Sequence, residues 1–392
     1  MQYVGSRSPL TVLAVFACGV AFACSSGAPK PDQTRPAASR DAGAPHDAAA
    51  RDAAAAAQDA AREIGSPPAA GSAQAVDDTL AGNAACQAIS PFYVELGDAG
   101  GMLHGGSIGT GYTRDTEMEI ASASKWIYGA YYVQKHGDIS DADEIKFLNF
   151  TSGFASMDAA CLGRSVKGCN QYTKNTAPGT TDHPGNDDSL VDRFDYNSGH
   201  LEAHAERYGG LGADTAATLP GDILAELGTD LQLSYDNPIL AGGVRTSAGQ
   251  YASFLQKILR GTLEMRDLLG SHTACTLSAE YSTLFHESCN AAYSPWWPAT
   301  SGKLGDTSDE TLVQNVHYSI AHWVEADGAF SSPGLFGFYP FIDSTKTWYG
   351  IIARRQVFKV FDEAHPDTSA YAQSVRCGQA VRAAWLTGKA QM

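Results

Sequence analysis

The chain predicts an α/β (α+β) sandwich: an antiparallel sheet flanked by helices, plus a larger all-helical insert. Three observations predict it. A short strand-like run stands early, at Phe92, Tyr93, Val94, Glu95 and Leu96. Helical patterning with loops fills residues 138–269. Strand-like runs then return at residues 318–324, 337–342 and 348–352, and residues 369–386 read as a closing helix. Branched and aromatic runs bounded by Gly, Pro and Asp mark strands, and recurrence of apolar residues every three to four positions marks helices. Strand, helical insert, strands, helix is the order expected of a sheet assembled from both ends of the folded body.

Taken in order, the first residues read as an export signal. Arg7 supplies positive charge, and residues 10–23 form an apolar run too short to span a bilayer comfortably. The run ends in Ala21-Phe-Ala-Cys24-Ser-Ser-Gly, similar to a bacterial lipobox, with Cys24 the expected lipidation site. Cys18 is a rival position, and a plain cleaved secretory signal is the alternative. Residues 25–82 are dominated by Ala, Asp, Pro, Gly, Ser and Gln and hold few residues able to build a core, so a disordered tether is expected there. The folded body is expected over residues 83–392. Glycine-rich turns are expected through Gly111, including Gly105-Gly-Ser107-Ile-Gly109, where the lack of a strand-to-helix context argues against a nucleophile elbow. Residues 250–260 are amphipathic, with Tyr251, Phe254, Leu255, Ile258 and Leu259 on one side.

Composition narrows the function. With 44% hydrophobic and 10% aromatic residues, 392 residues can bury a large core. The net charge is -16, from 27 basic and 43 acidic residues. No basic run interleaves with aromatics, so nucleic acid is not an expected partner. A lipid-anchored protein of the cell envelope, periplasmic or surface-exposed, is expected instead, acting on a small molecule. Two of the eight cysteines fall in the signal, leaving Cys86, Cys161, Cys169, Cys275, Cys289 and Cys377. An even set in an exported chain suggests disulfides. Many connectivities are open to six cysteines. Local pairing proposes Cys161–Cys169 and Cys275–Cys289, which leaves Cys86–Cys377. No Cys-x-x-Cys pair is present, and neither metal nor cofactor is expected. His200 and His204 stand one helical turn apart without an evident third ligand.

Ser122 and Lys125 form a Ser-x-x-Lys motif entering an apolar, aromatic-rich helix (Trp126, Ile127, Tyr128, Ala130, Tyr131). A spacing of three puts hydroxyl and amine on one helical face. Serine is a weak nucleophile until a neighbour removes its proton, and a lysine shielded from water can be that base. Four further blocks follow in order: Leu148-Asn-Phe-Thr-Ser-Gly-Phe154, Phe194-Asp-Tyr196-Asn-Ser198-Gly-His200, Ala241-Gly-Gly-Val-Arg-Thr-Ser-Ala-Gly-Gln-Tyr-Ala-Ser-Phe254 and Phe336-Gly-Phe-Tyr-Pro-Phe-Ile-Asp343. With Ser-x-x-Lys they resemble the serine β-lactamase / D,D-peptidase superfamily, in its class C-like and esterase branch, over most of residues 86–386.

The resemblance implies a β-lactamase/transpeptidase-like fold and an acyl-serine intermediate. It makes Ser122 the nucleophile, Lys125 its proton acceptor and Tyr196 a partner in the proton work, with a phenol pKa expected to fall beside cationic Lys125. Ser198 occupies the asparagine position of the tyrosine motif. Oxyanion donors are expected from the Ser122 N–H and from the strand near Phe330 and Ser331. There the chain departs from the family. Counting back from Phe336-Gly337, the Lys/His-Thr/Ser-Gly triplet is replaced by Ala329-Phe330-Ser331, and the basic residue that would face a substrate carboxylate is missing. His322 and Arg245 are candidates for a substitute polar contact. Lys303-Leu304-Gly305 mimics the triplet but lies in a polar loop. The expected activity is therefore serine hydrolysis or acyl transfer on a carboxylic ester or small amide. A β-lactamase or D,D-peptidase is the enzymatic alternative, and a non-catalytic envelope scaffold the other.

Overall fold

The computed structural model describes residues 69–155, 161, 164–170, 187–277, 289–296, 316–357 and 368–392. The export signal, Cys24, most of the expected tether and the Lys303 loop lie outside the described residues.

Ten α-helices are seen among these residues: α1 (Ser72–Gly82), α2 (Ala84–Ala88), α3 (Ser124–His136), α4 (Ala142–Leu148), α5 (Val166–Asn170), α6 (Gly199–Arg207), α7 (Leu219–Leu227), α8 (Ala248–Leu259), α9 (Met265–Leu268) and α10 (Ala370–Thr387). The strands are β1 (Phe92–Asp98), β2 (Gly101–Ile108), β3 (Met118–Glu119), β4 (Ser234–Tyr235), β5 (Val244–Thr246), β6 (Ala274–Cys275), β7 (His317–Tyr318), β8 (Trp323–Val324), β9 (Phe330–Ser331), β10 (Tyr339–Ile342) and β11 (Trp348–Ala353). Eight strands make one antiparallel sheet in the order β2-β1-β11-β10-β9-β8-β7-β6. The N-terminal strand β1 pairs with the C-terminal strand β11, Tyr93 opposite Ala353 and Asp98 opposite Trp348. The chain is thus an α/β sandwich whose sheet is assembled from both ends. A second, three-stranded sheet, β3-β5-β4, stands at the start of α3.

Helices cover both faces of the large sheet. Side chains alternate along a strand, and β11 uses the alternation: the Tyr349 hydroxyl accepts a hydrogen bond from Gln256 of α8 at 2.9 Å, while Ile352 on the opposite face meets Gly378 of α10. Helix α8 has the amphipathic register read from its sequence, with Tyr251, Phe254, Leu255, Ile258 and Leu259 all buried. Ser247 caps it by accepting from the Gln250 N–H at 3.3 Å. Helix α10 ends at Gly388 in the left-handed region, φ 64°.

Three expectations need correction. The folded body begins before residue 83: α1 packs on α10, burying Ala75, Val76 and Leu80, and Ser72 donates to the Trp385 carbonyl at 2.6 Å. Ala75, Val76 and Leu80 give α1 one apolar face, and all three join the main hydrophobic core. The glycine-rich stretch before Gly111 is mostly not a turn but the edge strand β2. At Gly105 φ is +138°, and a Cβ would lie 2.2 Å from the Val94 carbonyl oxygen, so only glycine fits beside β1. The strand expected at 318–324 is a tight hairpin, β7 to β8, broken at Ala321 with φ 54°.

Cystines join Cys86–Cys377, Cys161–Cys169 and Cys275–Cys289. The first ties α2 to α10 across a separation of 291 residues. Replacing both Cys86 and Cys377 by serine is expected to cost about 2–5 kcal/mol, read as a lowered melting temperature. A melting curve unchanged from wild type would show that the bridge contributes nothing to the folded state.

Candidate active site

The site is built where four segments remote in sequence meet. Ser122 lies in a 3₁₀ turn, residues Ala121–Ala123, that runs into α3. Ala121 before it is held at φ 46°, an uncommon conformation for a residue with a Cβ. The turn is fixed from two sides. From β5, the Val244 carbonyl accepts from the Ile120 N–H at 3.1 Å, and the Val244 N–H donates to Ser124 Oγ at 3.1 Å. From the segment after β9, Gly334 presses so close to Ile120 that a Cβ would lie 2.0 Å from its carbonyl oxygen. Ser332 donates to the Ser122 carbonyl at 3.0 Å.

One turn along, Lys125 is 2% exposed. Its Nζ lies 2.9 Å from Ser122 Oγ and donates to the Ala241 carbonyl at 2.8 Å. Burial lowers its pKa to about 7, an effect partly offset by the charge of Glu202. An amine with that proton affinity is substantially neutral near neutral pH and can accept the serine proton.

Tyr196 comes from a different part of the chain. Its loop is held between Phe150, whose carbonyl accepts from the Asp195 N–H at 3.0 Å, and Tyr293, whose carbonyl accepts from the Tyr196 N–H at 3.0 Å. His200 stacks on Phe150 with centroids 4.9 Å apart, and Ser152 bonds its Nδ1 at 2.7 Å. The second and third sequence blocks therefore lock together beneath the site. Tyr196 lines the same cleft as Ser122 and Lys125, and Lys125 Nζ sits 5.1 Å from its ring centroid. Burial pushes the phenol up to about 12, against the opposing pull of Ser122 and Trp323. This reverses the expected direction for Tyr196. The downward pull needed a lysine cation, and burial disfavours that charge while also disfavouring the phenolate. Of the two groups, the lysine is the one whose proton affinity lies near neutral, and the phenol stays protonated.

Ser122, Lys125, Tyr196 and Ser198 line one cleft of about 270 Å³. Its remaining walls are Asn197, Tyr293, Pro295, Trp296, Trp323, Pro333, Leu335 and Tyr371. Among the described residues, Lys125 is the one lining side chain with a basic group.

Phe330 and Ser331 are not brought to this cleft. They form β9, paired with β8 on one side and β10 on the other, so their backbone groups serve the ladder. The Phe330 ring lies against His322, centroids 5.9 Å apart, and Gly270. The next residue, Ser332, makes the contact with the nucleophile turn; counting residues from a motif could not resolve a difference of one position. Ser122 itself stands in the first turn of a helix, where N–H groups lack intrahelical acceptors, and its own N–H is a candidate oxyanion donor.

The two substitute contacts are engaged elsewhere. His322 is fully buried, accepts from the Gly270 N–H at 3.1 Å and bonds the Ile320 carbonyl at 2.8 Å; burial lowers its pKa to about 4, so it is neutral. Arg245 pairs with Glu119 at 2.8 Å and Asp236 at 3.0 Å. His200 and His204 each use both ring nitrogens in protein hydrogen bonds, His200 with Ser152 and Asp195, His204 with Tyr128 and Glu144. Glu202, two residues on from His200, was missed: it follows the tyrosine motif by one helical turn and is fully buried near Lys125.

No protein-family model and no curated protein matches the chain. Solved structures do. A β-lactamase from Mycobacterium bovis is 15% identical, covering 79% of this chain and 99% of its own, with a TM-score of 0.41. A simvastatin synthase from Aspergillus terreus is 14% identical, covering 80% and 100%, with a TM-score of 0.49. A D-stereospecific amidohydrolase from Streptomyces is 13% identical, covering 82% and 99%, with a TM-score of 0.44. At such distances a shared activity does not follow from the likeness.

Proposed function

We propose that the protein is a serine hydrolase or acyltransferase that forms an acyl-Ser122 intermediate from an uncharged carboxylic ester or small amide. The observation that carries this reading is the Ser122 Oγ to Lys125 Nζ approach of 2.9 Å at an amine held near neutral by burial. Neutral Lys125 takes the hydroxyl proton as Oγ bonds the acyl carbon. The carbonyl oxygen becomes an oxyanion facing the N–H of the helix start. The lysine ammonium returns the proton to the leaving oxygen or nitrogen as its bond to the acyl carbon breaks, with the neutral Tyr196 hydroxyl in the same cleft as the proposed relay. Water then releases the acid, or an alcohol or amine takes the acyl group.

The cleft walls support a neutral, apolar acyl group. Aromatic and proline side chains supply flat contact surface, and among the described residues no arginine or histidine lines the cleft to pair with a substrate carboxylate. That feature weighs against β-lactams and D-Ala-D-Ala peptides as preferred substrates. The residues around Cys24 support a lipid anchor at the cell envelope as part of the same proposal.

A fluorophosphonate probe tests the reading. Labelling of the folded wild-type protein, lost in Ser122→Ala, is the expected result. A folded wild-type protein that takes no label, and turns over none of a panel of short-chain esters, a chromogenic β-lactam and D-Ala-D-Ala peptides, would favour a non-catalytic scaffold.

A further inference from the structure

Beneath Lys125 lies a carboxyl group that the chemistry above does not use. Glu202 sits on α6, one helical turn beyond the tyrosine motif, and is 0% exposed. Its Oε1 accepts from the Ala241 N–H at 3.0 Å. Its Oε2 has no hydrogen-bond partner. The carbonyl of the same Ala241 holds Lys125 Nζ at 2.8 Å. One residue of the loop before β5 therefore joins the two ionisable groups, bonding the carboxyl through its N–H and the amine through its carbonyl. A buried carboxyl with an unused oxygen is costly to ionise unless a cation offsets it, and Lys125 is the cation placed to do so.

We infer that Glu202 is a positioning residue that sets the basicity of Lys125: it anchors the Ala241 backbone that holds the amine, and its negative charge favours the ammonium formed when Lys125 takes the Ser122 proton. The inference rests on the proposed hydrolase chemistry but is tested apart from it.

The surroundings leave these two groups to share the charge. Tyr128 from α3 and Tyr235 from β4 also feel Glu202, and burial raises both phenols, so they stay protonated. His200, on the same helix as Glu202 and sensing Lys125, is lowered to about 3 by burial and stays neutral. His204, one turn further on, is lowered by burial as well. Tyr196 is raised. Burial takes the Glu202 carboxyl up to about 8 and Lys125 down to about 7. The two affinities overlap, so the groups titrate as a pair and share a proton near neutral pH.

Glu202→Gln keeps the size and the acceptor for the Ala241 N–H but removes the charge. The readout is the rate at which a fluorophosphonate labels Ser122, followed against pH, which needs no knowledge of the substrate. In the variant the acid limb is expected to move to lower pH by about half to one unit. The plateau rate is expected to fall about tenfold, as a weaker base takes the proton. A profile of wild-type shape and position, whatever the melting temperature, would reduce Glu202 to a structural role and overturn the inference. Should the variant not fold, infrared difference spectroscopy of the wild type and Lys125→Met decides. The buried carboxyl C=O band is expected to persist to higher pH once the cation is removed, and an unmoved band overturns the inference. Wild-type protein that takes no label at any pH would count against the hydrolase reading, and the infrared comparison would still decide the coupling.

Discussion

Lys125→Met is expected to lower the rate of Ser122 acylation by about 10²–10⁴-fold, the range typical of a lost general base, while leaving the fold intact. Methionine fills the volume of the lysine stem but cannot accept a proton, and Ser122 Oγ then loses the amine 2.9 Å away. The wild-type rate is expected to rise with pH through about 7, where the buried amine gives up its proton, and then to level off. The stability change has the opposite sign to the activity change. Between about pH 7 and the ordinary lysine range near ~10.4, the unfolded chain holds a proton that the folded chain lacks. Wild-type stability therefore gains from this group as pH rises through that window, and at pH 7 or below the folded state bears the full cost of burying it. Methionine removes that cost, so the variant should melt no lower than wild type at neutral pH. Acylation within tenfold of wild type would remove Lys125 from the chemistry.

Arg382→Met is expected to have the largest effect on stability, a loss of about 3–5 kcal/mol, measured by chemical denaturation. Arg382 projects from α10 into the sheet and is 2% exposed. It bonds Glu325 at 2.6 Å, Asp327 at 2.7 Å and the Tyr339 hydroxyl at 2.9 Å. Glu325 is 1% exposed, and its other contacts are the Tyr339 hydroxyl at 2.6 Å and Gln379 at 3.2 Å. Removing the guanidinium leaves a buried carboxylate with neutral partners only, and the penalty comes from that unpaired charge more than from the lost pair. Glu325→Gln in the Arg382→Met background should therefore recover part of the loss. A single-variant loss below about 1 kcal/mol, the range of an exposed pair, would mean that the cluster is hydrated and not buried.

The elements that run on local pattern were legible in the chain. Strand β1, the amphipathic α8 and the closing α10 follow from side-chain period and end signals, which act over a few residues. The pairing of early with late strands followed from their order. What misled was local in a different sense. Gly105 reads as a turn residue, but its glycine serves a close strand-to-strand approach. The small residues of α1 read as a tether, but they are apolar enough to bury against another helix.

The site divides in the same way. Spacing alone put Ser122 and Lys125 on one helical turn, because both belong to the same local structure. Only the tertiary structure decided that Tyr196 reaches that pair, that Ser332 and not Ser331 touches the nucleophile turn, and that Glu202 lies under the lysine. It also sets how tightly each group holds a proton. Residue identity supplies a lysine and a phenol with their ordinary affinities, whereas burial, a property of the packed whole, pulls one down to about 7 and pushes the other up to about 12.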